Sequence, residues 1–384
     1  MGLLKKIDKK LWNHKIYRLC VSLPRKGIHF CKKVKEKIAD FFSEKTAGFR
    51  LKHGGSAPLV SIIMPVYNAE KYVGQALDSL LEQSVKYIEI IALDDGSTDG
   101  SLEILKRYAA KDQRIRVYTQ ENQYAGAARN LGMTYAKGEY LLFLDSDDFF
   151  EKDLIKDTYY KAKANRADIV LFGAKHYHDQ TGETTIGNYL DLSYAPGKEP
   201  FSWKDCPDTI FQIGSDCPWT KLFKRSFIEK TGLQFQKLYN ANDIFFVLSA
   251  IAMAERIVTL DQPYINYRIG LQNNLQSSQK RCFLEAYYAW HDQLKKLGRL
   301  DRVRKSYANC ILNGCTHNLR KITDLKLKRE LFEQLKNEAF PYLEITKRDK
   351  EYYYNKRNYR DMMRVFYVSF EEYLAAYGQS GENN

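Results

Sequence analysis

The chain has 384 residues, 44% of them hydrophobic, with a formal net charge of +13. That composition excludes a disordered or fibrous chain and allows one catalytic domain of roughly 200–250 residues plus appendages. The charge is not spread evenly: residues 1–57 hold fifteen Lys/Arg against four Asp/Glu, so +11 lies there, which excludes a uniformly basic nucleic-acid binder.

Residues 1–52 read as two basic amphipathic helices broken near Pro24. Leu4, Ile7, Leu11, Ile16, Leu19 and Leu23 recur at mostly helical spacing, as do Cys31, Val34, Ile38, Phe41 and Phe42. Such helices suit an anionic membrane surface; packing on the following domain or on a partner is the alternative. No apolar run approaches the roughly eighteen residues of a membrane span, and Lys and Arg interrupt any signal-peptide core. The expected location is cytoplasmic and peripheral, at the inner face of the cell membrane. The seven cysteines form no C-x-x-C pair, which argues against a disulfide framework or zinc site and for a reducing compartment.

After a linker at 53–58 the pattern alternates. Strands are expected at 59–66, 88–93, 115–119 and 140–144, with helices at 70–83, 100–110 and 125–136 between them. This order predicts an α/β fold, a mostly parallel sheet with helices on both faces. A helix at 152–166 and a strand at 168–173 follow, then a hairpin and excursion over 174–215. A strand at 219–223, a helix at 243–254 and a last strand at 256–260 complete the domain. From about residue 278 the chain reads as helical, charged and rich in tyrosine. The organisation is thus 1–57 basic helical segment and linker, 58–275 catalytic domain, 276–384 helical C-terminal region. The tyrosine-rich tail is a candidate interface in a homo-oligomer.

Two acidic clusters follow apolar strands: Asp94-Asp95-Gly96-Ser97-Thr98-Asp99 and Asp145-Ser146-Asp147-Asp148. Carboxylates gathered at the ends of buried strands repel and lose hydration unless a cation lies between them. A divalent metal carrying a diphosphate meets that need. Ligands on such sheets bind outside the carboxyl ends of the strands, where both clusters fall.

Four motifs in order now resemble family 2 glycosyltransferases of the GT-A fold. They are Ser61-Ile62-Ile63-Met64-Pro65-Val66-Tyr67-Asn68, the Asp94–Asp99 cluster, Ala127-Ala128-Arg129-Asn130-Leu131-Gly132, and the D-x-D site at Asp145-Ser146-Asp147. The resemblance implies an inverting transfer from a nucleotide sugar, more in keeping with a UDP-linked than a GDP-linked donor. It implies that Asp94 or Asp95 accepts from the nucleobase imide, and that Pro65, Val66, Tyr67 and Asn68 line the base and ribose, with Arg129 facing the nucleotide. Sugar transfer needs its leaving diphosphate stabilised, and a hard, oxygen-loving ion, Mn2+ or Mg2+, does so. Asp147 is the candidate direct ligand, with Asp145 on the ribose or the metal. Ser146 lies between them, and Asp148 is a candidate supporting partner. Helix capping alone would not require three carboxylates.

Inverting transfer also needs a general base. The family's E-D-x-x-F segment is matched by Asn242-Asp243-Ile244-Phe245-Phe246, which makes Asp243 the candidate base and leaves Asn242 where the usual Glu would stand. Trp219 and Lys221 resemble a W-x-K-L segment, with Trp219 a candidate for stacking on the acceptor sugar and Lys221 for meeting a phosphate. Tyr267-Arg268 resembles the family's Y-R tail, expected in a loop over the donor. The chain lacks the Q-x-x-R-W motif of processive synthases, so addition of one or a few sugars to a glycan or lipid-linked glycan is expected. The rivals are an inactive sugar-binding scaffold, and a nucleotidyltransferase, whose G-x-G-x-R-rich loop is replaced here by Pro65-Val66-Tyr67-Asn68.

Overall fold

The computed structural model describes residues 57–271 and 282–379, so the expected N-terminal basic helices lie outside the described residues. A compact unit begins at Pro58. Its sheet contains β1 (Val60–Val66), β2 (Ile88–Asp94), β3 (Ile115–Thr119), β4 (Tyr140–Phe143), β5 (Phe149–Phe150), β6 (Ile169–His178), β7 (Thr184–Ile186), β8 (Lys221–Lys224) and β9 (Ile257–Ile269). The order is β3-β2-β1-β4-β8-β6-β9-β5, with β7 on the edge of β6. The four strands from β3 to β4 are parallel; β8 runs against both β4 and β6; β6 and β9 are parallel again.

Helices α1 (Val73–Leu81), α2 (Ser101–Ala109) and α3 (Tyr124–Tyr135) make the crossovers, and α4 (Leu154–Asn165) follows β5. β1 and β2 are buried along their whole length, as near-continuous apolar strands under helices on both faces must be. The twofold alternation of a strand divides the core. Ile62, Met64 and Val66 face one apolar cluster with Val73, Leu77 and Leu154, while Ile63, Ile91 and Phe143 face another.

The second cluster continues without interruption into the C-terminal region. It takes in α6 (Ile244–Met253), which follows the short α5 (Arg225–Thr231), and then α7 (Phe283–Lys296), α8 (Arg304–Lys321), α9 (Leu325–Gln334), α10 (Lys356–Tyr367) and α11 (Phe370–Gln379). α6 is apolar on nearly every side because it is enclosed by the sheet and by α7. The helical region therefore shares one core with the sheet.

The expected elements differ from the structure mainly after β6. The last strand extends to Ile269, well past the expected 260, so Tyr267 and Arg268 lie within β9 and not in a loop. The expected strand at 219–223 begins as a single 3-10 turn, Pro218–Thr220, because Pro218 supplies a fixed φ and no N–H to a ladder. The strand proper, β8, starts at Lys221.

Candidate active site

At the carboxyl ends of the parallel strands, Val66 and Asp94 close the β1–β2 register side by side. The two acidic residues that end and follow β2 are not equivalent. Asp95 donates its N–H to Val66 O at 2.8 Å, and its Oδ1 accepts from Gln120 Nε2 at 2.6 Å and from Gln123 N at 3.0 Å. The Asp94 carboxylate accepts only a long 3.4 Å bond from Ser97 N, and its buried Oδ1 has no partner. An unsatisfied buried acceptor costs about 1–3 kcal/mol, so this oxygen is poised for a donor from outside the chain. Pro65 and Val66 are buried behind it, and Tyr67 stands 50% exposed at the rim. Asn68 adopts a left-handed φ of 49°, which Asn tolerates, and accepts from Thr98 N at 2.8 Å, tying the two loops together. Asp99 has a structural role, accepting from Ser101 N at 3.0 Å and Glu70 N at 3.1 Å.

The second cluster leaves β4. Asp145 accepts from Arg129 Nη2 at 2.6 Å. Asp147 is part-buried, and beyond its own N–H no hydrogen-bond donor among the described residues reaches its carboxylate. Burial, and then the neighbouring Asp145 charge, push it up to about 6. Asp148 is buried and raised well above the usual range by burial, with Asp147 and Asp145 adding to it; its Oδ1 accepts from Arg268 N at 2.8 Å. Ser146 is buried between Asp145 and Asp147. Arg268 also donates from Nε to Asp147 O at 2.8 Å and from Nη2 to Gln75 at 2.6 Å, and pairs with Asp179. It is thus a buried latch that fixes the acidic loop from β9. Tyr267 turns the other way and stacks on Trp219, with ring centroids 4.9 Å apart.

α3 supplies the third part. Arg129 is buried and divides its guanidinium between Asp145 and Asn242, whose Oδ1 accepts from Nη1 at 2.8 Å. The next residue, Asn130, clamps the backbone of Phe235 from both sides, accepting from its N–H and donating to its carbonyl, each at 2.8 Å. Gly126 is required by the same approach: a Cβ there would lie 2.1 Å from Gln236 O. These contacts press residues 235–242 onto α3 and deliver Asp243 to the first turn of α6. Ala241, just before, is held at a positive φ of 55°. Asp243 occupies the N-cap position yet makes no capping bond. Burial raises its carboxyl to about 6, with Arg129 pulling down and Asp216 and Asp145 pushing up.

Two expected residues are placed differently. Lys221 is fully buried, and its three donors are spent on Ser215 O at 2.6 Å, Cys217 O at 2.8 Å and Thr220 Oγ1 at 3.0 Å. Nothing of it is left for a phosphate; it holds the turn before β8. Trp219 is only 5% exposed, enclosed by Tyr267 and Tyr189, and presents no free face to a sugar. Sequence reasoning passed over Asp216, a carboxylate beside Asp243, because it lies in a stretch without a motif. His176 and His178 lie on β6, and His176 Nε2 is 2.9 Å from Tyr189 Oη.

The family profile described as "Glycosyl transferase family 2" matches residues 61–232, which contain both acidic clusters and Arg129. EpsH of Bacillus subtilis (strain 168), named as a glycosyltransferase, is 32% identical over 289 residues, spanning 73% of this chain and 82% of that one. The chain belongs to glycosyl transferase family 2. A second relative, named cholesterol galactosyltransferase, from Borreliella burgdorferi (strain ATCC 35210 / DSM 4680 / CIP 102532 / B31), is 28% identical over 274 residues, spanning 60% of this chain and 73% of that one. Among solved structures, S. aureus TarS 1–349 in complex with UDP-GlcNAc superposes with a TM-score of 0.60 over 83% of this chain and 92% of that one, at 21% identity. The likeness is one of fold, and that fold is GT-A. The family 2 chain described here is accordingly a glycosyltransferase. Among its described residues no helix is long and apolar enough to cross a membrane.

Proposed function

We propose that this family 2 glycosyltransferase moves a sugar from a UDP-linked donor to a hydroxyl of a glycan, with inversion at the anomeric carbon, in the assembly of cell-surface polysaccharide, glycolipid or glycoprotein. One observation carries the proposal: the Asp243 carboxylate stands at the start of α6 with no capping bond, raised to about 6, beside the Arg129–Asp145 pair. A carboxylate so placed accepts a proton near neutral pH, whereas a structural N-cap would be bonded and acidic.

The other residues then divide the donor. The unpaired Oδ1 of Asp94 accepts the imide N–H of uracil, since Asp95 is already engaged by Gln120 and Gln123. Pro65 and Val66 back the base, and Tyr67 and Asn68 border the ribose. The match of the fold to TarS in complex with UDP-GlcNAc supports a uridine donor.

The acidic residues fit a divalent ion. Asp147 has a raised carboxylate that the nearby Arg268 only partly offsets, and Asp145 keeps a second oxygen beyond the one given to Arg129. Two carboxylates with the rest of the shell from phosphate and water is a usual arrangement for Mg2+ or Mn2+, and such an ion would offset charge on the leaving diphosphate. Arg129 orients Asp145, Arg268 fixes the loop, and Asp243 takes the proton of the attacking hydroxyl. As the acceptor oxygen bonds to the anomeric carbon, the bond to the diphosphate breaks and its electron pair leaves with the nucleotide.

Residues 1–52 are proposed to hold the enzyme on an anionic membrane at the cytoplasmic face, near a lipid-linked acceptor. Their basic, amphipathic sequence supports this. Removing them should abolish salt-sensitive flotation with anionic liposomes; equal flotation of the shortened protein would refute membrane docking.

The transfer itself is tested by donor hydrolysis with Mn2+ over a panel of nucleotide sugars. Turnover of a UDP-sugar by the wild type, lost in Asp147→Ala, is expected. No turnover of any donor by either protein, with any acceptor, would favour the scaffold.

A further inference from the structure

A cavity of about 550 Å³ lies between the excursion after β7 and the C-terminal helices, lined by residues 188–191, 211–216, 309–310, 312–314 and 353–356 among others. Its volume is that of an ordinary small-ligand site. Asp216 belongs to its wall and also to the surroundings of the base. Burial and then the Asp216 charge raise the Cys310 thiol on the α8 side, and Asp216 adds to the burial that raises Asp243. Leu248 in its wall lies on α6, the helix whose N-cap is Asp243, so the cavity adjoins the element that carries the base candidate.

Its polar groups are partly unspent. The Asp216 carboxylate, beyond its own backbone N–H, and the exposed side-chain amide of Asn188 have no hydrogen-bond partner among the described residues. Asn313 accepts from Asn358 Nδ2 at 3.2 Å but gives neither amide proton. Asn355 uses only its oxygen, to cap α10. Tyr194 and Tyr354 add ring surface, with centroids 5.2 Å apart. Amide donors, carboxylate acceptors and aromatic faces are the groups that bind hydroxyls and the apolar faces of sugar rings. Charge narrows the ligand further. The lining includes Asp191, whose Oδ1 accepts from Ser193, and Asp216, and its one cation among the described residues, Lys356, gives two of its three Nζ protons to the carbonyls of Lys350 and Tyr353.

We propose that this cavity is the acceptor site, and that the acceptor it takes is an uncharged oligosaccharide and not one bearing phosphate or carboxylate. This rests on Asp243 being the base. A phosphate or carboxylate would enter a lining with two acidic residues and one lysine, net negative, so charge disfavours it. The C-terminal helices, Asn313 and Asn355 above all, then act as specificity elements of the transferase.

The test separates this from the transferase reading. Saturation-transfer NMR measures binding of neutral tetrasaccharides (gluco-, galacto- and manno-configured) and of a hyaluronan tetrasaccharide, without catalysis. Calorimetry measures UDP-sugar affinity separately. Binding of a neutral member to the wild type is expected, lost at least tenfold in the cavity-filling variant Asn188→Trp, with donor affinity kept within twofold. Asp216→Asn, which removes charge without bulk, should admit the hyaluronan tetrasaccharide. Neutral sugars that bind Asn188→Trp as well as wild type, or none that binds wild type, or preference of the wild type for hyaluronan would each overturn the proposal. Neutral binding in the cavity together with no donor turnover would instead remove the transferase reading and leave a glycan-binding cavity.

Discussion

Arg129 donates from Nη2 to Asp145 at 2.6 Å and from Nη1 to Asn242 at 2.8 Å, so one guanidinium joins the acidic loop after β4 to the residue next to Asp243. The metal-binding candidates and the base candidate are thus set by a single side chain on α3. Arg is suited to this because its fork holds two acceptors in fixed geometry.

Arg129→Ala should therefore affect the two halves together. The loss of a largely buried partner should lower stability by about 2–4 kcal/mol, below the full cost of a buried pair because Asp145 keeps 29% of its side chain exposed. Arg129 also holds the Asp243 carboxyl down, so its removal should move the acid limb of kcat/KM to higher pH. An unchanged limb would show that Asp243 is not the titrating base. Arg129→Lys should restore the limb but not the full rate, since the charge returns without the fork.

Asp243→Asn should leave donor affinity unchanged and lower transfer by about 10²–10⁴-fold, the range for losing a general base. The wild-type acid limb should lie near pH 6, where burial places the carboxyl. Near-normal turnover in the Asn variant would exclude Asp243 and direct attention to Asp216.

Asp147→Asn should weaken Mn2+-dependent binding of the UDP-sugar by at least about tenfold, the lower end of losses seen even one step removed from a metal. Binding in EDTA should be equal for variant and wild type. Equal affinity with Mn2+ would take Asp147 out of the metal site.

The parallel half of the sheet was legible because its strands are continuous apolar runs closed by acidic turns, and β1, β2 and β3 lie within a residue of where the sequence places them. The acidic residues were legible for the same reason. Lys221 and Trp219 were not, because a local motif carries no information on burial: the pull of Ser215 O and Cys217 O on the ammonium, and the ring of Tyr267 over the indole, come from distant parts of the chain. The continuation of β9 to Ile269 was hidden by Asp261, Gln262 and Pro263, which look like a turn but sit at the register shifts opposite Gly173, where a strand tolerates a Pro and an irregular ladder. Asp216 was missed because its partner, Asp243, is brought near it only by the fold.

Asp147 and Asp243 should make the empty enzyme less stable as pH rises. Both have folded values near 6 against a usual 3.8, so the folded state holds their protons more tightly than the unfolded one does. Below about pH 4 both states are protonated and no penalty exists. Between about pH 4 and 6 the unfolded chain releases its protons first, and stability falls, to a plateau above pH 6. A shift of this size is worth at most about 3 kcal/mol for each residue. Asp147→Asn and Asp243→Asn should therefore unfold at higher urea than wild type at pH 7.5 and at the same urea near pH 3.5. Mn2+ with UDP should narrow the gap for Asp147, where the bound charge relieves the repulsion with Asp145, and leave most of it for Asp243. Taking the difference between variant and wild type removes carboxylates shifted the other way, such as Glu344, which Lys295 and Arg304 hold at about 2. If the Asn variants were instead less stable at pH 7.5, the two carboxylates would be held charged by the fold, and neither would be strained towards a ligand or a proton.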